Sequence, residues 1–269
     1  MRLLFLGDIV GRAGRAAVIE ALPGLRNDWK LDFIVVNAEN SASGYGMTGS
    51  IAEELFAAGV DVLTLGDHAF DQKEMLQYIE REPRILRPLN FARKAPGRGQ
   101  GVFEAPRGKK VFVAVALGRV FMNKPFDDPF SALDGALKKA PLGGGADAAI
   151  VEIHAEATSE KMATGHWCDG RASLVVGTHT HVPTADAMVL PKGTAYQTDA
   201  GMCGDYNSVI GMDKGEPLKR FVTGMGSGRF EPALGQATIC GTYVETGPDG
   251  LAQKVLPVRL GGHLAELRP

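Results

Sequence analysis

Short, mostly apolar runs recur along this chain, and five of them end in residue types that bind metals. Residues 3–6 lead into Asp8, 33–36 into Glu39 and Asn40, and 60–65 into Asp67 and His68. Residues 148–153 lead into His154, and 173–176 into His179 and His181. Between the early runs, residues 15–22, 51–58 and 72–79 carry apolar positions at helical spacing. A run without polar alternation is a strand buried on both faces, so the alternation predicts an α/β fold with a mostly parallel, covered sheet. Ligand sites in such sheets form beyond the carboxyl ends of the strands. The five ends are therefore expected at one mouth, and four of the six histidines lie at them.

The rest of the chain is less regular. Residues 87–107, rich in Gly, Pro and Arg, read as an irregular surface excursion. Residues 110–117 read as a strand and 130–139 as a helix. The tail offers short β-like runs at 187–190, 194–197, 237–244 and 253–256. There is no fixed-period repeat and no long linker, so residues 1–269 are expected to form one domain with mixed sheets.

Composition narrows the function classes. The 31 acidic residues against 29 Lys and Arg leave a formal charge of −2, which argues against a protein that coats nucleic acid. No apolar run approaches the roughly 18–20 residues that span a bilayer, and the first residues do not resemble a secretory leader. Cys168, Cys203 and Cys240 are too few and too scattered for a disulfide framework; three thiols in a cytoplasmic protein are expected.

Seven or eight oxygen and nitrogen donors exceed the roughly four that one tetrahedral zinc takes. They suit two ions sharing a bridging carboxylate, and imidazole with carboxylate but no thiolate points to iron, manganese or zinc. Such a pair polarises a phosphoryl group and activates a water, with no need for a nucleophilic Ser or Cys. Singly, each residue has a plainer use. Asp8 suits a helix cap, Glu39-Asn40 a turn with Asn taking a permissive φ, and His68 or His154 a satisfied buried imidazole. His179 and His181, two apart, share a side if their segment is extended. It is the coincidence at five strand ends that favours a metal centre.

Other motifs carry less. The stretch Gly7-Asp8-Ile9-Val10-Gly11 lacks dinucleotide-binding spacing and puts an acid where pyrophosphate would approach. There is neither a phosphate-binding loop of the Gly-x-x-x-x-Gly-Lys type nor a Gly-x-Ser-x-Gly elbow. His166, Cys168 and His263 are given no role.

Gly7-Asp8-Ile9-Val10-Gly11, Asn37-Ala38-Glu39-Asn40, Gly66-Asp67-His68, the octet from His154 to Lys161, Gly177-Thr178-His179-Thr180-His181 and Thr198-Asp199-Ala200-Gly201-Met202 occur in this order. With them the chain resembles, nearly end to end, the YmdB-like branch of the calcineurin-like metallophosphoesterases. The resemblance implies a four-layer α/β/β/α sandwich with a dinuclear centre of iron or manganese, zinc being admissible. Asp8, Glu39, Asn40 and His181 would hold one ion; Glu39 would bridge to a second held by Asp67, His154 and His179. His68 would be the general acid for a leaving ribose oxygen, after attack by a metal-activated hydroxide. The implied substrate is a small cyclic nucleotide, 2′,3′-cyclic nucleotides first. A phosphomonoesterase, or a regulatory RNA-associated protein with a structural metal site, remains as an alternative.

Two departures from the superfamily pattern stand out. Val10 occupies the position of a usual ligand His, which Asn40 would replace, and Asp67 stands where Asn is usual. Arg93, Lys94 and Arg98, or Arg12 and Arg15, are candidates to supply charge near the mouth, with a solvated loop the plainer use of the first three. A short RNA and a second copy of the chain stay open as partners.

Overall fold

In the computed structural model, which describes residues 1–122 and 126–269, the chain begins β1 (Arg2–Leu6), β2 (Asp8–Ile9), α1 (Gly11–Asp28), β3 (Phe33–Asn37), α2 (Gly49–Ala57), β4 (Val62–Thr64), α3 (Met75–Arg81) and β5 (Ile85–Leu86). It continues with β6 (Gln100–Ala105), β7 (Lys109–Leu117), α4 (Pro129–Lys139), β8 (Ala148–His154), α5 (Thr158–Cys168) and β9 (Leu174–Thr178). The last part holds β10 (Met188–Val189), β11 (Ala195–Gln197), β12 (Met202–Asp205), α6 (Gly215–Thr223), β13 (Ala237–Thr246) and β14 (Ala252–Leu260).

The strands form two sheets. One runs β2-β12-β13-β1-β3-β4-β5 with β14 added on β13; the other runs β10-β11-β9-β8-β7-β6. The pairs β1–β3, β3–β4 and β4–β5 are parallel in the first, as are β7–β8, β8–β9 and β9–β11 in the second.

Alternation along the strands explains the layers. Leu4, Leu6, Ile34 and Val36 pack toward a core shared with Val18 and Leu22 of α1 and Leu55 of α2, whereas Leu3, Phe5, Phe33 and Val35 face Val113, Val115, Ile150 and Val176 of the other sheet. On that sheet's far face, Ala114, Val151 and Ile153 meet Leu133 and Leu137 of α4. The result is the expected α/β/β/α sandwich, and both faces of β1 and β3 being buried is why their sequences are apolar without alternation. Near the carboxyl ends the inter-sheet positions turn polar. Asn37 continues the parity of Val35, and Glu152 and His154 that of Ile150.

Some elements depart from the sequence reading. The helix expected over 15–22 runs from Gly11 to Asp28 through Pro23, because Val18, Leu22 and Leu25 bury one stripe whose packing outweighs a lost backbone bond. The excursion at 87–107 is neither wholly irregular nor superficial. It contains β6, and Arg87 and Asn90 are buried, Arg87 donating to the carbonyls of Pro88 and Pro96. β14 passes through Pro257, which an edge strand tolerates. α5 and α6 have no counterpart in the sequence reading.

Candidate metal centre

His154, the last residue of β8, is fully buried and sits at the middle of the expected cluster. Its Nε2 lies 3.0 Å from Glu39 Oε1, 3.1 Å from Asp67 Oδ1 and 3.1 Å from His179 Nδ1. One ring nitrogen cannot hydrogen-bond all three at once. Ligand atoms about 2.1 Å from an octahedral cation stand roughly 3.0 Å apart, which is the spacing seen. Glu39, Asp67, His154 and His179 thus form a set able to hold a metal ion, with one donor atom of each within 4.8 Å of the others. Gly66 lets its loop pass this closely: a Cβ there would collide with Glu39 Oε2 and His154 Nε2.

The remaining expected ligands border this set. Asp8 Oδ2 accepts from the His179 backbone N–H at 3.2 Å, while Asp8 Oδ1 is buried without a hydrogen-bond partner. Asn40 Nδ2 donates to the Gly44 carbonyl at 3.1 Å, and its Oδ1 is likewise buried without one. Two orphaned buried oxygens beside an acid cluster are costly unless a cation satisfies them, so the residues fit metal ions. His181 Nδ1 lies 2.7 Å from the Ile210 carbonyl oxygen, an acceptor only, which puts the ring proton on Nδ1 and leaves the Nε2 lone pair for ligation. The plainer uses fail for Asp8, since the N-cap of α1 is Val10, and for Asn40, which lies outside the left-handed conformation.

Electrostatics reflect crowded acids. Burial pushes the Asp8 carboxyl up to about 7, with Glu39, Asp199 and Glu152 adding to the rise and His154 opposing it. Burial disfavours the His154 cation, but Glu39, Asp67 and Glu152 outweigh it and raise the imidazole well above its usual value. Burial likewise acts against ionisation of Asp67, and hydrogen bonds with His154 and His179 overcome it, leaving the carboxyl below the carboxylate range. His181 moves the other way, since burial lowers it toward the neutral form that ligates. A charge surplus held by one protonated imidazole is what a bound cation would replace.

One expectation about the histidine pair is corrected. His179 and His181 do not owe their common side to an extended segment; they follow β9 in a loop with φ of 95° and 66°. Thr180 between them is tied by its N–H and its hydroxyl to Asp199 Oδ2, at 3.2 and 2.7 Å. Asp199 Oδ2 also accepts from Lys161 Nζ at 2.7 Å, a fully buried ion pair. The left-handed backbone is held from behind.

A second support lies between the sheets. Thr178 Oγ1 donates to Glu152 Oε1 at 2.7 Å and so accepts from His154 Nδ1 at 2.8 Å, fixing that ring's orientation. Asn37 Nδ2 donates to the same Glu152 oxygen at 2.6 Å, while Asn37 Oδ1 accepts from the Glu39 N–H at 3.0 Å. Sequence reasoning missed Glu152, Lys161 and Asp199 as supports. A carboxylate inside the apolar run 148–153 was the available signal.

His68 faces the cavity beside this cluster. Its Nδ1 lies 2.7 Å from Asp71 Oδ2, and its N–H donates to Glu39 Oε2 at 3.2 Å. The cavity, of about 520 Å³, is lined by Glu39, Asn40, His68, Glu156, His179, Thr180 and His181, and otherwise by Tyr45 and apolar residues. Arg93, Lys94 and Arg98 are exposed and do not line it; Arg12 and Arg15 line a separate hollow. Among the described residues no helix is long and apolar enough to cross a membrane. The three cysteines are free and buried.

Comparison with known proteins agrees with this geometry. The chain is 44% identical over 249 residues to a 2′,3′-cyclic-nucleotide 2′-phosphodiesterase of Bacillus subtilis, covering 91% of each chain. A hypothetical protein from Thermus thermophilus superposes with a TM-score of 0.90 at 42% identity, over 98% of this chain and all of that one. A phosphatase of Mycoplasma pneumoniae superposes with a TM-score of 0.88 at 35% identity, over 97% and 93%. Residues 4–258 match the model of the YmdB-like proteins. An inter-sheet cluster of acids and imidazoles, on a backbone shared with these relatives, makes the chain a member of the YmdB-like family of calcineurin-like metallophosphoesterases.

Proposed function

We propose that the chain hydrolyses 2′,3′-cyclic nucleotides and similar small phosphodiesters at a two-metal centre. The observation that carries this is the convergence of Glu39, Asp67, His154 and His179 beside a cavity that also exposes His68. Asp8, Glu39, Asn40 and His181 would hold one ion, and Glu39, Asp67, His154 and His179 the other; the imidazole–carboxylate donor set admits iron, manganese or zinc, and the family resemblance favours the first two. When bound, the ions polarise the phosphoryl oxygens and supply an activated water as nucleophile. His68 then protonates the departing ribose oxygen from Nε2, because Asp71 engages Nδ1. Residues 1–269 would act as one domain, a reading supported by the pairing of β1 with β13 near the other end of the chain.

Protein purified without added metal is expected to carry two equivalents of iron or manganese by elemental analysis. It should turn over 2′,3′-cyclic AMP faster than the matching 3′-monophosphate. Metal-free folded protein that binds RNA and hydrolyses neither would favour a regulatory role instead.

Asp67 gives a further prediction. A carboxylate binds the cation more strongly than an amide but offers no N–H to phosphate. The Asp67→Asn variant is therefore expected to lose metal roughly tenfold more readily, the scale found when a partner around a metal site is altered, while its KM falls when metal is in excess. Unchanged metal retention and kinetics in a chelator titration would remove the charge at this position from the account.

A further inference from the structure

Two residues of the metal cluster, Glu39 and His179, line the cavity. A second stretch of its wall is formed by Tyr45, Ile210, Met212, Phe221 and Phe230, of which only Tyr45 bears a polar side-chain atom. This wall is built on a firm base. Tyr45 and Phe230 pack on a small cluster of Val10, Met202 and Met212, and the Tyr45 ring stands edge-on to His68 at 5.5 Å between centroids. The Arg220 guanidinium lies 4.1 Å from the centre of the Phe230 ring and is itself held by Glu216 and the Gly228 carbonyl. Phe221, on α6, contrasts with them, with 84% of its surface exposed although it borders the cavity. An aromatic ring left in water beside a reactive cluster is a large apolar surface awaiting a flat partner.

We infer that this aromatic wall is a nucleobase subsite, with Phe221 as the stacking platform that seats the base while the phosphodiester lies at the metal cluster. The inference rests on the phosphodiesterase function proposed above and names how that site selects its substrate. The cavity volume of about 520 Å³ lies within the roughly 300–1,000 Å³ of small-molecule sites. Stacking needs only the π-face that every base has, so the subsite distinguishes nucleotides from base-free esters more sharply than one base from another.

The test compares 2′,3′-cyclic AMP with glycerol 1,2-cyclic phosphate, which keeps the five-membered cyclic phosphodiester and lacks the base. In the Phe221→Ala variant the ratio of kcat/KM for the two is expected to fall about tenfold, mostly through KM, within the range that one stacked base supplies. Phe221→Tyr should keep the wild-type ratio. A ratio unmoved in Phe221→Ala overturns the inference, including when light scattering shows a changed oligomeric state, which would assign the exposed ring to self-association. Equal wild-type kcat/KM on both substrates also overturns it while leaving the phosphodiesterase function standing. Cleavage of neither substrate by the metal-loaded wild type defeats that function itself.

Discussion

Replacing His68 with Ala is expected to leave the metal content unchanged and to lower kcat on 2′,3′-cyclic AMP by about 10²–10⁴-fold, the usual contribution of a positioned acid. The side chain lies at the cavity without belonging to the four residues whose donor atoms converge, so its removal leaves their geometry in place. The effect should depend on the leaving group. A ribose alkoxide needs a proton as its bond to phosphorus breaks, whereas a nitrophenolate leaves unaided. The loss on bis(p-nitrophenyl) phosphate is therefore expected to be far smaller than on the cyclic nucleotide. Equal losses on both would show that His68 orients the substrate or the centre, and its proton would not be the reason for its presence. The Asp71 carboxylate at 2.7 Å from Nδ1 makes the acid role physically sound, because it fixes the ring and leaves Nε2 as the nitrogen that can face a leaving group.

Much of the scaffold could be read from residue order because its determinants are local. The runs at 3–6, 33–36 and 148–153 are apolar without alternation, which marks strands covered on both sides, and each became part of a central strand. The polar residues just beyond them were legible for the same reason, since a strand end is where a buried run must meet chemistry. What escaped were elements whose identity depends on distant partners. α5 keeps Lys161 and Thr164 buried, so its sequence lacks a clean apolar stripe. α6 differs, for Leu218, Phe221 and Val222 stand at helical spacing that the sequence reading passed over, and the fold turns that face outward. The left-handed turns at His179 and His181 have no local cause in the residues themselves.

The supports behind the centre were hidden for a related reason. Asn37 and Glu152 are 115 positions apart in the chain, and only the stacking of the two sheets brings them to 2.6 Å. Even with the octet from His154 to Lys161 recognised, nothing in its residue types tells that Glu160 accepts the backbone N–H groups of Arg119 and Val120. Nor do they tell that Lys161 turns inward. A lysine in the first turn of a helix is ordinarily solvated, and here both it and its partner are removed from water.

That burial sets the second large effect. The Lys161→Met variant, which keeps the length of the side chain and removes its charge, is expected to lower unfolding stability by about 3–5 kcal/mol, the cost of stranding one member of a buried ion pair. Asp199 would retain the Thr180 and Gly201 donors, which places the loss toward the lower end of that range. Urea denaturation of metal-free protein measures it. The pair also has a functional reach, because the Asp199 oxygen that Lys161 touches is the one gripping Thr180 between the two left-handed histidines. Left-handed conformations of this kind cost about 1–3 kcal/mol each and persist only where surroundings enforce them. Loosening Asp199 is therefore expected to weaken metal retention as well as stability. Combining Lys161→Met with Asp199→Asn removes the stranded charge and should recover much of the stability, while metal retention stays poor because an amide grips Thr180 less firmly. A double variant that regained both properties together would mean that the ion pair serves folding alone. A single variant as stable as the wild type would mean that water reaches Asp199 in solution.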